Sequence, residues 1–150
     1  MVNAMTVDVE DYFQVSAFEG AVRRLDWEGI PCRVEANTDR ILSLFDSHGV
    51  KATFFMLGWV AKRYPELVRR ILAAGHELAS HGMSHVRVTT QTPADFRNDV
   101  VATKQLLEDI AVVIDPEEDR FVVLRLAGVK YIRTLGKAVL PQDGSFFYVG

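Results

Sequence analysis

The sequence predicts an α/β fold: strand–helix units forming a parallel sheet or barrel, followed by a short β-rich tail. Two observations carry this. Short apolar strands alternate with amphipathic helices over the first 110 residues, which is the pattern of parallel α/β folds. After about residue 111 the texture changes, and β-prone segments follow one another with no helical pattern between them. The 150 residues suit one domain, although a complete barrel of this kind usually needs more chain.

The elements follow in order. Residues 5–9 are short, apolar and β-branched and run into acid at their end, so they read as a buried strand with a polar edge. Residues 11–33 scatter Tyr12, Phe13, Phe18 and Trp27 among charges and read as a loop with one helical turn. A helix is expected from Asn37, with Asn37 or Thr38 as cap, Ile41, Leu42, Leu44 and Phe45 as apolar stripe, and Gly49 as stop. Residues 52–57 form a second buried strand. Residues 65–74 form a second helix with Pro65 in its first turn and Gly75 after it. Residues 77–80 make a third strand that delivers His81. A third helix runs over 93–110 behind Thr92 as cap. In the tail, strands are expected at 121–126, 131–135 and 145–149. The expected division is 1–110 for the strand–helix part and 111–150 for the tail.

Composition narrows the function classes. Half of the chain (49%) is hydrophobic and the net charge is −3, with no long basic run, so charge gives no support to nucleic-acid binding. One cysteine, Cys32, excludes a disulfide framework within the chain. No apolar stretch reaches membrane-spanning length. The N-terminal residues lack a basic region and meet acid at Asp8, which predicts a cytoplasmic protein.

Two clusters carry chemistry. Asp8, Glu10 and Asp11 put three carboxylates within four residues at the end of a buried strand, where mutual repulsion calls for a cation or a proton. Strand alternation puts Asp8 and Glu10 on one face. His81 and His85 are four apart, a spacing that places both imidazoles on one face of a helical turn and suits a shared metal ion. Each cluster follows a predicted strand, and the C-terminal edges of parallel strands form the active face of such folds. Tyr12 and Phe13, beside the acids, are candidates to line a substrate cleft. His48 and His76 read as surface and structural residues, and Phe54 and Phe55 as core.

Residues 6–15 (TVDVEDYFQV), 49–58 (GVKATFFMLG) and 75–85 (GHELASHGMSH) resemble polysaccharide deacetylases with the NodB-homology domain, carbohydrate esterase family four. The resemblance is nearest to the subgroup found with bacterial exopolysaccharide gene clusters, and it covers roughly residues 3–110. It implies a distorted (β/α) barrel that removes acetyl groups from N-acetylated amino sugars of a polysaccharide. It implies Asp8 as general base, with His81 and His85 as ligands of a divalent metal, usually zinc, that activates water and stabilises the oxyanion. The family's metal-binding aspartate directly follows the base. Val9 stands there in this chain, so the third ligand falls to Glu10 or Asp11.

The family's later motifs are missing from this sequence. No arginine after the third helix is followed at the family's spacing by proline, both tryptophans come early, and no histidine follows His85. These departures imply the front half of a barrel and a truncated or inactive deacetylase. The alternative is a non-catalytic metal-binding module that self-associates through its tail or exposed edges. Residues 114–125 and 143–149 faintly resemble the final strands of the ferredoxin-like nuclease subunit of CRISPR adaptation complexes.

Overall fold

In the computed structural model, residues 4–112 and the backbone of residues 123–124 are described. In chain order the elements are β1 (Thr6–Val9), α1 (Val34–Ser47), β2 (Thr53–Met56), α2 (Gly58–Arg63), α3 (Pro65–Ala73), β3 (Glu77–Ser80), α4 (Pro93–Val112) and β4 (Val123–Leu124). The four strands form one parallel sheet in the order β1-β2-β3-β4. Among the described residues this sheet is open, so the front of the expected barrel is present as an arc. Of the strands expected in the tail, only Val123–Leu124 lies within the described residues, and it pairs with β3 in the same parallel sense as the others. The strands expected at 131–135 and 145–149 lie outside them.

The register explains why the site forms at one edge. Thr6, Thr53 and Glu77 lie abreast at one end, and Val9, Met56 and Ser80 at the other. The residues that leave the sheet there are Glu10, Leu57 and His81. Neighbouring strands are about 4.8 Å apart, so Glu10 and His81 start roughly 10 Å from each other and must reach across the end of β2. Leu57 is fully buried beneath them, and the chain turns at once into α2.

Helices cover the sheet with apolar stripes. Leu67, Val68, Ile71 and Leu72 of α3 and Leu107 and Ile110 of α4 join Val9, Phe54, Met56 and Leu78 of the strands in one core. Fully burying a side chain of this size contributes about 1.5–3 kcal/mol. Phe54 is core, as its sequence context predicts, and Phe55 is buried too. His76 is also structural: its Nδ1 accepts the Ala52 N–H at 3.2 Å, and its ring packs on Phe45 and Phe54. Thr92 caps α4 by accepting the Asp95 N–H on its hydroxyl. None of the described helices is long and apolar enough to cross a membrane.

One helix start differs from expectation. α1 begins at Val34, three residues before Asn37, and Thr38 is buried inside it rather than capping it. Its first amides are satisfied from a distance. Asp11 Oδ2 accepts the N–H groups of Arg33 and Val34 at 2.5 and 3.0 Å. A carboxylate at a helix N-terminus meets both the orphan donors and the positive end of the dipole. Local pattern could not reveal a cap supplied from over twenty residues away.

Candidate metal centre

Glu10, His81 and His85 each offer one ligand atom, and these atoms lie within 4.8 Å of one another. Glu10 Oε2 is 3.2 Å from His85 Nε2 and 3.7 Å from His81 Nε2. The two imidazole centroids are 5.0 Å apart. Both histidines are buried and Glu10 nearly so. Burial pushes the His85 pKa below its ordinary value, more than the nearby Glu19 and Asp8 charges raise it. Neutral imidazole is the ligating form, so burial prepares this side chain for a cation.

Two imidazoles and a carboxylate are the donor set of sites that bind a borderline divalent ion and leave a coordination position open. The buried His85 Nδ1 has no hydrogen-bond partner among the described residues. The residues present therefore fit a divalent metal. The charge of Asp8, two residues before Glu10, is felt at His85.

Asp11 does not join this group. Its carboxylate is spent on the α1 cap, with Oδ1 accepting the Tyr12 N–H at 3.0 Å, and its own N–H donates to Gln14 Oε1. Of the two acids left open as third ligand, Glu10 lies beside the histidines, while Asp11, beyond the end of β1, caps the turn at Tyr12–Gln14 and faces the start of α1. The expectation for Phe13 is corrected. It is 2% exposed and packs edge-on against Trp27 and Trp59, so it belongs to the core and not to a cleft. Tyr12 is exposed, with the Arg33 guanidinium 5.1 Å above its ring.

The loop 81–85 is not the helical turn that the i, i+4 spacing suggested. Gly82 and His85 both have positive φ, 77° and 55°. The imidazoles meet because the loop is pinned from outside. Gly58 and Trp59, at the start of α2, donate their N–H groups to the carbonyls of Gly82 and Met83, each at 2.8 Å. The approach is close enough that a Cβ on Gly58 would lie 3.0 Å from the Met83 Cα and 2.6 Å from its sulfur. On the other side Asp99 Oδ2 of α4 accepts the Met83 N–H at 3.0 Å. Arg24 donates to the carbonyls of Ser84 and His85. Sequence reading passed over Gly58, Asp99 and Arg24. A glycine directly after a buried strand was the one available signal.

A model of the polysaccharide deacetylase family matches residues 25–125. The chain belongs to that family. Among similar proteins, a peptidoglycan-N-acetylglucosamine deacetylase of Bacillus cereus is 36% identical over 74 residues, which is 49% of this chain and 27% of that protein. A chitooligosaccharide deacetylase of Bradyrhizobium sp. is 36% identical over 70 residues, 47% of this chain and 32% of that protein. The chain thus matches about a third or less of the length of these relatives. Among solved structures, the Bc1960 peptidoglycan N-acetylglucosamine deacetylase aligns with TM-score 0.52 and 27% identity over 71% of this chain and 40% of that one. Peptidoglycan deacetylase PdaC from Bacillus subtilis shares the fold with TM-score 0.58 at 22% identity, over 83% of this chain and 48% of that one. The comparisons lend no support to the likeness of the tail to a nuclease subunit.

Proposed function

We propose that this chain carries the metal-binding half of a deacetylase site that hydrolyses N-acetyl groups of amino sugars in a polysaccharide, with an exopolysaccharide as substrate. The observation that carries the reading is the grouping of Glu10, His81 and His85 just past the C-terminal ends of β1 and β3, with Asp8 in β1 two residues before Glu10. Relatives named as deacetylases of peptidoglycan and chitooligosaccharide support the substrate class.

In this reading Glu10, His81 and His85 hold a divalent ion, zinc being the natural occupant of such a donor set. When bound, it supplies Lewis acidity toward water and the acetyl carbonyl. Asp8 is the general base and takes the proton of the attacking water. Tyr12, exposed beside the acids, offers a ring face to a sugar.

A second reading is a metal-binding module without turnover. The grouping of Glu10, His81 and His85 would serve such a module equally well. Zinc stoichiometry by calorimetry, followed by acetate release from a chito-oligosaccharide, separates the two. One zinc per chain, lost in His81→Ala, supports the centre. Acetate release that Asp8→Asn abolishes supports the enzyme. Zinc binding without release favours the module, and no zinc binding rejects both. Bound zinc should also raise stability by about 2.7 kcal/mol at a free concentration one hundred times its Kd, and a chelator should reverse this.

A further inference from the structure

Four consecutive carbonyls, from Gly82 to His85, accept hydrogen bonds from outside their loop. Backbone amides serve the first two, and one side chain serves the last two. Arg24 Nε donates to the Ser84 carbonyl at 2.9 Å and Nη2 to the His85 carbonyl at 3.1 Å, across 60 and 61 residues of sequence. The fork is itself held. Nη2 also donates to Glu19 Oε1 at 2.8 Å, and the guanidinium lies 6.0 Å from the ring centroid of the buried Trp27. Glu19 Oε2 in turn lies 3.4 Å from Arg87 Nε, two residues beyond His85.

What this fork holds is unusual. Among the described residues His85 is the only non-glycine with positive φ. A residue with a Cβ adopts that conformation only where its surroundings impose it. The same conformation places Nε2 of His85 3.2 Å from Glu10 Oε2. Released from Arg24, the His85 backbone is free to return to a commoner conformation, which swings the imidazole away from Glu10.

We propose that Arg24 is a positioning residue of the metal centre: by clamping the Ser84 and His85 carbonyls it holds the His85 imidazole beside Glu10 and so sets the affinity of the site for a divalent cation. This rests on the metal-centre reading above. Charge and position make opposite demands here, which is what makes the role testable. Arg24 is a cation near a cation site, so removing its charge alone tightens metal binding by Coulomb's law. Removing the clamp weakens it. Outer residues that orient a ligand are worth about 10–100-fold in metal affinity.

The test is a zinc titration of the full chain in competition with a chromophoric chelator, on protein shown to be folded by circular dichroism. Arg24→Gln is expected to raise the zinc Kd at least tenfold. Arg23→Gln removes the same charge one residue earlier from an exposed pair with Asp26, and it is expected to leave the Kd within twofold. Arg24→Lys keeps the charge but cannot span both carbonyls, so its Kd is expected between those of the parent and Arg24→Gln. It also stands in if Arg24→Gln does not fold. The cobalt(II) absorption bands of the Arg24 variants are expected to shift, because the ligand geometry changes. A Kd in folded Arg24→Gln or Arg24→Lys equal to or below that of the parent overturns the inference. A parent chain that binds no zinc overturns the metal-centre reading itself, and this role with it.

Discussion

The Asp99 carboxylate closes over Gly82. Its Oδ2 accepts the Met83 N–H at 3.0 Å, and a Cβ built on Gly82 would lie 2.9 Å from that same oxygen. The helix α4 and the loop between His81 and His85 are therefore fitted to each other at a position where only hydrogen leaves room. Burial pushes the Asp99 carboxyl above its ordinary value, against the pull of the Met83 amide.

Gly82→Ala is expected to lower stability by about 1–3 kcal/mol in urea unfolding, from the left-handed backbone and the displaced Asp99 together. Asp99→Ala in the same chain removes the obstructing oxygen but strands the Met83 N–H. The double variant should thus cost less than the sum of the two single ones. Strict additivity would show that the two positions do not interact. Asp99→Asn keeps an acceptor, and its carboxamide carries no charge to bury, so it should cost less than Asp99→Ala.

Asp11→Ala is expected to be one of the costlier substitutions near the site while leaving Glu10, His81 and His85 in place. It leaves the amides of Arg33 and Val34 without their acceptor at a buried helix start. The expected loss is about 2–4 kcal/mol, combining a lost cap with unsatisfied donors. Asp11→Asn should retain part of it. Zinc stoichiometry of the folded fraction should be unchanged in Asp11→Asn and lost in Glu10→Gln. The reverse pattern would exchange the roles of the two acids.

His76 gives the fold a pH dependence. Burial, helped by the Lys51 charge and opposed by Asp46, lowers its pKa below the ordinary value of 6.5. The folded chain prefers the neutral ring, whose Nδ1 accepts from Ala52. A lowered pKa contributes stability above the unfolded value and loses it as pH falls through the folded one. Unfolding free energy should therefore drop below about pH 6.5. His76→Gln, which keeps an acceptor without titrating there, should show a shallower drop between pH 7.5 and 5.5. Identical slopes in the two proteins would count against this assignment.

Much of the fold is legible in the sequence because its signals are local. The strands read at residues 5–9 and 77–80 match β1 and β3 to within a residue. Pro65 and Thr92 mark helix starts, since a proline without an N–H and a hydroxyl acceptor act on their own first turn. The start of α1 is not legible, because its acceptor, Asp11, arrives from another part of the chain. Phe13 reads as a cleft residue in a line of text and as core in three dimensions for the same reason. Its neighbours Trp27 and Trp59 are far along the chain.

The sequence by itself determined the residue types of the site, its place after two parallel strands, and the family those motifs resemble. It left the choice between Glu10 and Asp11 open. Both lie just past the end of β1, and the local pattern does not say which of them faces the histidines. The tertiary structure gives Asp11 the amides of α1 and brings Glu10 beside His81 and His85. It also decided the shape of the histidine loop. The spacing suggested a helical turn, yet Gly58, Trp59, Asp99 and Arg24 take up the loop's backbone groups from outside. A backbone whose hydrogen bonds are met by distant partners need not form the structure its own spacing would favour.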